Sequence, residues 1–214
     1  MFDMDGLLLD SERLAMEYFV DACREHSIDP DLAVYRGCIG TRAEDTARIL
    51  MQGYGPEFPF ALVQATWTEL YEAHVQERPV ATKAGAIPLL NRCAELGIRC
   101  AVATSTASAL ARRKLELAGL LPSFEVLVTG DMVKRAKPDP EAYLKAAQAL
   151  LLDPSACWAL EDSAAGVRSA LTAGFVVYRV PDLAVDIEPG SGAGYMTVDS
   201  LHDVLIALNH AAGG

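Results

Sequence analysis

Four short segments hold side chains whose types and spacing suit phosphoryl chemistry. In Phe2-Asp3-Met4-Asp5-Gly6, two carboxylates stand two residues apart, and Asp10 follows. Carboxylates this close repel each other and lose hydration, so a fold keeps them with a cation or a shared proton. They also divide a reaction well. One can attack phosphorus and form an acyl phosphate, while the other protonates the leaving oxygen and then activates water. Gly6 lets the backbone turn sharply beside a substrate. Thr104-Ser105-Thr106 offers hydroxyls and free amides of the kind that cradle a phosphate. Lys134-Arg135-Ala136-Lys137-Pro138-Asp139-Pro140 places a lysine before a rigid Pro-x-Pro stretch, where it can offset gathered negative charge. Glu161-Asp162-Ser163 supplies a further carboxylate that can complete a magnesium site, built from oxygen ligands with water and phosphate filling the rest.

Each segment taken singly has a plainer explanation. The first could be a solvated acidic turn and the third a basic surface loop, and the second and fourth could be helix caps. Their positions relative to the predicted elements decide between these readings. Apolar runs rich in Val and Ile predict strands at Met1–Met4, Arg99–Thr104, Val126–Thr129, Cys157–Glu161, Val176–Val180 and Tyr195–Val198. Helical patterns lie between them at Ala86–Leu96, Ala107–Ala118, Pro140–Leu151, Ser163–Ala173 and Ser200–Leu208, three of them stopping at glycine. Asp139 is a candidate cap for the third. This alternation predicts an α/β fold with a Rossmann-like, mostly parallel sheet. All four chemical segments then fall at carboxyl ends of strands, the edge at which open parallel sheets bind ligands.

The region 11–79 breaks the rhythm. It holds no strand pattern and three helical ones, Ser11–His26, Arg42–Gln52 and Ala61–Gln76. It reads as an α-helical domain inserted into a core of residues 1–10 and 80–214, with hinges near Asp10–Ser11 and Arg78–Ala84. The segment Met1–Met4 reads as the end of a strand, either because the native chain starts earlier or because the strand is short.

Composition sets limits on partners. The chain has 214 residues, of which 51% are hydrophobic, enough for a sizeable core. Lys plus Arg number 18 and Asp plus Glu 29, a net charge of −11. Such a surface repels nucleic acid and anionic membrane, yet a local cation can still admit an anionic substrate. Five cysteines without metal-site spacing are expected as reduced thiols. With no leader pattern and no apolar run of membrane-spanning length, a cytoplasmic monomer or weak homodimer is expected.

The segments FDMDGLLLDSE, AVATST, GDMVKRAKPDP and LEDSAAGVRSALTAG resemble the haloacid dehalogenase superfamily in order and spacing over nearly the whole core. The resemblance implies a helical cap over a Rossmann-like core and an aspartyl-phosphate mechanism dependent on Mg2+. It assigns Asp3 as nucleophile, Asp5 as general acid/base, Thr104 as phosphoryl-binding hydroxyl and Lys137 as charge-balancing lysine. It assigns the metal to Asp3, Asp162 and the Asp5 carbonyl, with Glu161 behind the ion or touching it. Gly6, Ser105 and, from the cap loop, Arg42 are implied substrate or phosphate contacts. The aspartate at position 5 favours phosphate esters over carbon–halogen or carbon–phosphorus bonds. The subgroup resembled contains β-phosphoglucomutase-like enzymes and small-metabolite phosphatases, and DMDGLLLDSERL, AVATST and VPDL are most similar to its pseudouridine-5'-phosphatase-like members. Ala15 stands where the mutases carry a histidine, and 11–78 contains no lysine, so hydrolysis of a sugar or nucleoside phosphate is expected over mutase chemistry. A binding protein without activity is the alternative from another class.

Overall fold

The structure is a computed structural model that describes residues 1–39, 43–183 and 194–213. Among the described residues, five parallel strands carry the core: β1 (Ala101–Ala103), β2 (Val126–Val128), β3 (Trp158–Glu161), β4 (Val176–Arg179) and β5 (Tyr195–Thr197). β1 pairs with β2, and β3 with β4 and β4 with β5. Phe2 joins the two groups, making parallel bridges to Val102 on one side and Leu160 on the other. The Phe2 amide donates to the Ala101 carbonyl at 2.9 Å, and the Asp3 amide to the Leu160 carbonyl at 3.0 Å. The spatial order is therefore β2, β1, Phe2, β3, β4, β5. After Phe2 the chain builds outward on one side through β1 and β2, then returns to the other side at β3. Asp3 thus lies at the point where strand order reverses, which opens a crevice in a sheet of this kind.

All five named strands are shorter than their predicted runs, and the Met1–Met4 strand reduces to the bridges of Phe2. At the carboxyl end of β1 the outer residue of the run, Thr104, opens the loop Thr104-Ser105-Thr106.

The strand residues alternate between two apolar layers, as a period of two requires. Phe2, Val102, Leu160 and Tyr178 pack with α5 (Ala86–Glu95), α6 (Ser108–Leu117) and α9 (Leu201–Ala212). Ala101, Ala103, Val128, Ala159 and Val177 pack with α7 (Glu141–Ala149) and α8 (Ala164–Thr172). Helices thus cover both faces, which explains why the strands read as continuous apolar runs.

The described residues within 11–79 include α1 (Ser11–Glu25), α2 (Leu32–Arg36), α3 (Ala43–Tyr54) and α4 (Phe60–Glu77). α2 has no counterpart among the predicted helices. It is a single short turn held by Asp31, which accepts from the amides of Ala33 and Val34 at 2.8 and 3.2 Å. These helices have an apolar cluster of their own, including Phe19, Tyr35, Leu50 and Val63. The chain segments on either side of them run together. Asp10 donates from its amide to Ala81 at 2.8 Å, Lys83 to Leu8 at 2.9 Å, and Leu9 bridges Thr82 in antiparallel sense.

Candidate active site

Asp3 follows Phe2 at the carboxyl edge of the sheet and is buried. Its carboxylate accepts from the Lys137 ammonium at 2.5 Å. The same ammonium donates to Glu161 at 2.6 Å and to the Ala103 carbonyl at 2.8 Å, so its three donors have three acceptors. Glu161 is fully buried and also accepts from the Tyr143 hydroxyl at 2.6 Å. Ligand oxygens of Asp3, Glu161 and Asp162 lie within 4.8 Å of one another. Three carboxylates therefore face one lysine.

The imbalance shows in the protonation equilibria. Burial pushes the Asp3 carboxyl above its usual range, with Glu161 and Asp5 adding to the rise and Lys137 opposing it. Burial and the charges of Asp3 and Glu161 push Asp162 up as well. Lys137 is held protonated, because the attraction of Asp3 and Glu161 outweighs its burial. Clustered hard oxygens short of positive charge are a donor set that suits a divalent cation. Two glycines make room for the cluster. A Cβ on Gly6, which also has φ 81°, would run into the Asp162 carboxylate, and one on Gly166 would run into Glu161.

The helix-cap alternative fails for Thr104-Ser105-Thr106 and holds in the fourth segment for Ser163 alone. α6 starts at Ser108 after Ala107, without a side-chain cap from Ala107, and the Ser108 amide donates to Asp131 at 3.0 Å. The Thr104 hydroxyl is instead buried beneath the loop, accepting from the Thr106 amide at 3.1 Å, and Ser105 is exposed. α8 is capped by Ser163, which accepts from the Gly166 amide at 3.0 Å, so Asp162 is left to the carboxylate group. Asp139 accepts from the Glu141 amide at 3.0 Å, although Pro140 is the residue at the cap of α7. In the basic segment, Lys137 reaches the site, while the Arg135 side chain pairs with Asp139 at 2.5 Å on the surface. Arg42 lies outside the described residues.

Asp5 departs from expectation. The nearness of Asp3 predicts a carboxyl that keeps its proton. Its side chain turns instead to Lys114, whose ammonium donates to it at 2.8 Å, and to Thr106, whose hydroxyl donates at 2.6 Å. Burial pushes Asp5 up, but Lys114 and Thr106 more than reverse this, and its pKa falls below the usual value. In this arrangement Asp5 is ionised.

Sequence reasoning missed several neighbours. Lys114, Tyr71 and Tyr143 carry no local motif, and Thr106, although part of the Thr104-Ser105-Thr106 segment, was given no role toward Asp5. Lys83 pairs with Asp182 and lies 3.5 Å from Asp10, tying both ends of the helical block to the loop after β4. Glu12, at the start of α1, is pushed up to about 7 by burial and by the charges of Asp5 and Asp182, against Lys114 and Lys83. Between the ordinary glutamate value and about 7, the folded state therefore binds more protons than the unfolded chain, and stability falls as pH rises through that window. Glu12→Gln should raise the melting temperature more at about pH 8 than at about pH 5. An equal gain at both, or a larger one in acid, would contradict this.

The profile of a family described as haloacid dehalogenase-like hydrolase matches residues 1–180. The chain belongs to the haloacid dehalogenase-like hydrolases. Hexitol phosphatase A of Escherichia coli is 37% identical over 181 residues, spanning 84% of this chain and 81% of the relative. A phosphorylated carbohydrates phosphatase of Thermotoga maritima is 30% identical over 204 residues, spanning 90% and 91%. The crystal structure of a candidate β-phosphoglucomutase from Thermotoga maritima superposes with a TM-score of 0.80 at 28% identity, covering 98% of this chain and 97% of that one. As a haloacid dehalogenase-like hydrolase, the chain has the α/β architecture its sequence implies, and its relatives fall in the β-phosphoglucomutase-like subgroup of phosphatases and CbbY proteins.

Proposed function

We propose that this hydrolase is a Mg2+-dependent phosphomonoesterase acting on a small phosphorylated carbohydrate or polyol through an aspartyl phosphate at Asp3. The observation that carries the reading is the meeting of Asp3, Glu161 and Asp162 with Lys137 where strand order reverses. The names of two relatives, a hexitol phosphatase and a phosphorylated carbohydrates phosphatase, support the substrate class.

In this reading Asp3 attacks phosphorus in line and the ester oxygen leaves with a proton from Asp5. Asp5 then takes a proton from the water that hydrolyses the acyl phosphate. The ionised Asp5 seen beside Lys114 suits the second step, and for the first it must gain a proton. Thr104 and Ser105 hold the phosphoryl oxygens, Gly6 leaves space for them, and Lys137 balances the charge gathered at Asp3. Asp3, Asp162 and the Asp5 carbonyl would hold Mg2+, with Glu161 close behind; bound there, the ion lowers the repulsion between phosphate and carboxylate. Residues 11–79 act as the cap that excludes water, on the paired hinge segments at Leu8–Asp10 and Ala81–Lys83. Arg42 is kept as a candidate substrate contact.

A phosphosugar mutase is disfavoured by Ala15 and by the lack of lysine across 11–78. Incubation with a panel of hexitol, aldose and nucleoside phosphates decides between them. Release of inorganic phosphate is expected, and isomer formation without phosphate would reverse the choice. EDTA should abolish release and excess Mg2+ restore it. Turnover that survives chelation would remove the metal from the reading. The five free cysteines support a reducing, cytoplasmic setting, and among the described residues no helix is long and apolar enough to cross a membrane.

A further inference from the structure

Lys114 lies in the middle of α6, on the face it shares with Ala111 and Leu115, all three buried. A lysine on such a face loses its hydration and needs strong partners. Its ammonium has two. One is the Asp5 carboxylate at 2.8 Å, and the other is the Tyr71 hydroxyl at 2.7 Å. The ammonium also lies 5.1 Å from the centre of the Tyr71 ring. Asp5 belongs to the core and Tyr71 to α4, in the helical block. The preceding residue of α6 repeats the link, since Arg113 donates to the Gln76 carbonyl of α4 at 2.6 and 2.8 Å. Only the Lys114 link, however, continues to a residue of the proposed reaction.

We propose that Lys114 is a positioning residue that couples the placement of α4 to the placement of the Asp5 carboxylate. The role rests on the reading of Asp5 as the acid and base of a phosphomonoesterase. While Tyr71 shares the ammonium, Lys114 is fixed between the two halves and holds Asp5 on the α6 side of the cleft with Thr106. A shift of α4 alters one of the ammonium's two partners and so changes its hold on the other. Asp5 thereby takes its working geometry only when the helical block is seated. The carboxylate oxygens that cluster at Asp3 come from Asp3, Glu161 and Asp162, not from Asp5.

The test uses the leaving group. An alkyl alcohol is a poor leaving group and needs a proton from Asp5, whereas p-nitrophenolate leaves readily without one. kcat/KM reports steps up to formation of the acyl phosphate. It is measured for sorbitol 6-phosphate and p-nitrophenyl phosphate in Lys114→Met, Tyr71→Phe and Arg113→Ala. Lys114→Met should lower the alkyl-to-aryl ratio by at least about tenfold, and Tyr71→Phe should lower it by a smaller factor in the same sense. Arg113→Ala, which removes the other tie between the helices, should leave the ratio unchanged. In an Asp5→Asn background, Lys114→Met should cause no further fall in the ratio. If Lys114→Met does not fold, Tyr71→Phe carries the test. Equal losses on both esters, a fall with Arg113→Ala as large as with Lys114→Met, or additivity with Asp5→Asn would overturn the role while leaving the phosphatase reading intact. Absence of phosphate release from either ester by the unaltered protein would overturn the reading itself, and the role with it.

Discussion

Asp3→Asn should lower kcat by more than about 10³-fold, because an amide at the attacking position cannot form the acyl phosphate. The fold should survive the change. Asparagine has nearly the same shape, and Lys137 retains Glu161 and the Ala103 carbonyl as acceptors. Burial and two neighbouring carboxylates already disfavour the Asp3 charge, so losing it relieves a repulsion even as it loosens Lys137. Melting temperature without added metal should therefore change little, which separates a chemical loss from a structural one. Turnover near that of the unaltered protein would exclude Asp3 as nucleophile.

Lys137→Met should cost both stability and activity. Its ammonium is the cation that touches Asp3 and Glu161 together, and Glu161 is fully buried. Removing one partner of a buried ion pair leaves the other uncompensated, at about 3–5 kcal/mol. In a chain of this size that corresponds to a fall in melting temperature of about 6–20 °C. Activity should fall by about 10²–10³-fold, since charge that develops at Asp3 and the phosphoryl oxygens loses its nearest fixed counter-charge. Thermal melting and kcat measured on the same preparation check both. A variant that melts like the unaltered protein would show that this lysine does not compensate the buried carboxylates.

The parts of this site that could be read from the sequence are those whose position follows from local grammar. An apolar run, a polar loop and a helix start place Asp3, Thr104 and Asp162 at one rim of a sheet before any contact is known, and the sheet delivers them there. Lys137 was legible for a related reason, as a lysine preceding prolines in an otherwise acidic chain. Lys114 was not. In Ala111-Arg112-Arg113-Lys114-Leu115 it looks like part of a solvated basic face, and only its distant partners Asp5 and Tyr71 reveal that it points inward. Tyr143 is similar: in sequence it is a core aromatic of α7, and its hydroxyl acquires meaning from Glu161 on β3. The expectation for Asp5 failed for the same reason. It weighed the neighbour two residues away and could not weigh a cation that arrives from α6. The shortened strands are a simpler case. Thr104, Val180 and Val198 each still donate one backbone bond across the sheet, to Val128, Glu161 and Arg179, but the paired ladder does not continue through them.

The central claim is that a phosphoryl group passes through the carboxylate of Asp3. It is tested most directly by acid-quenching the enzyme during turnover with Mg2+ and a substrate ester, reducing with borohydride, and sequencing the peptide that contains position 3 by mass spectrometry. An acyl phosphate at this residue is reduced to homoserine, and that conversion is expected at position 3 and at no other aspartate. Conversion at a different residue, or an unaltered peptide from enzyme shown to be turning over, would contradict it.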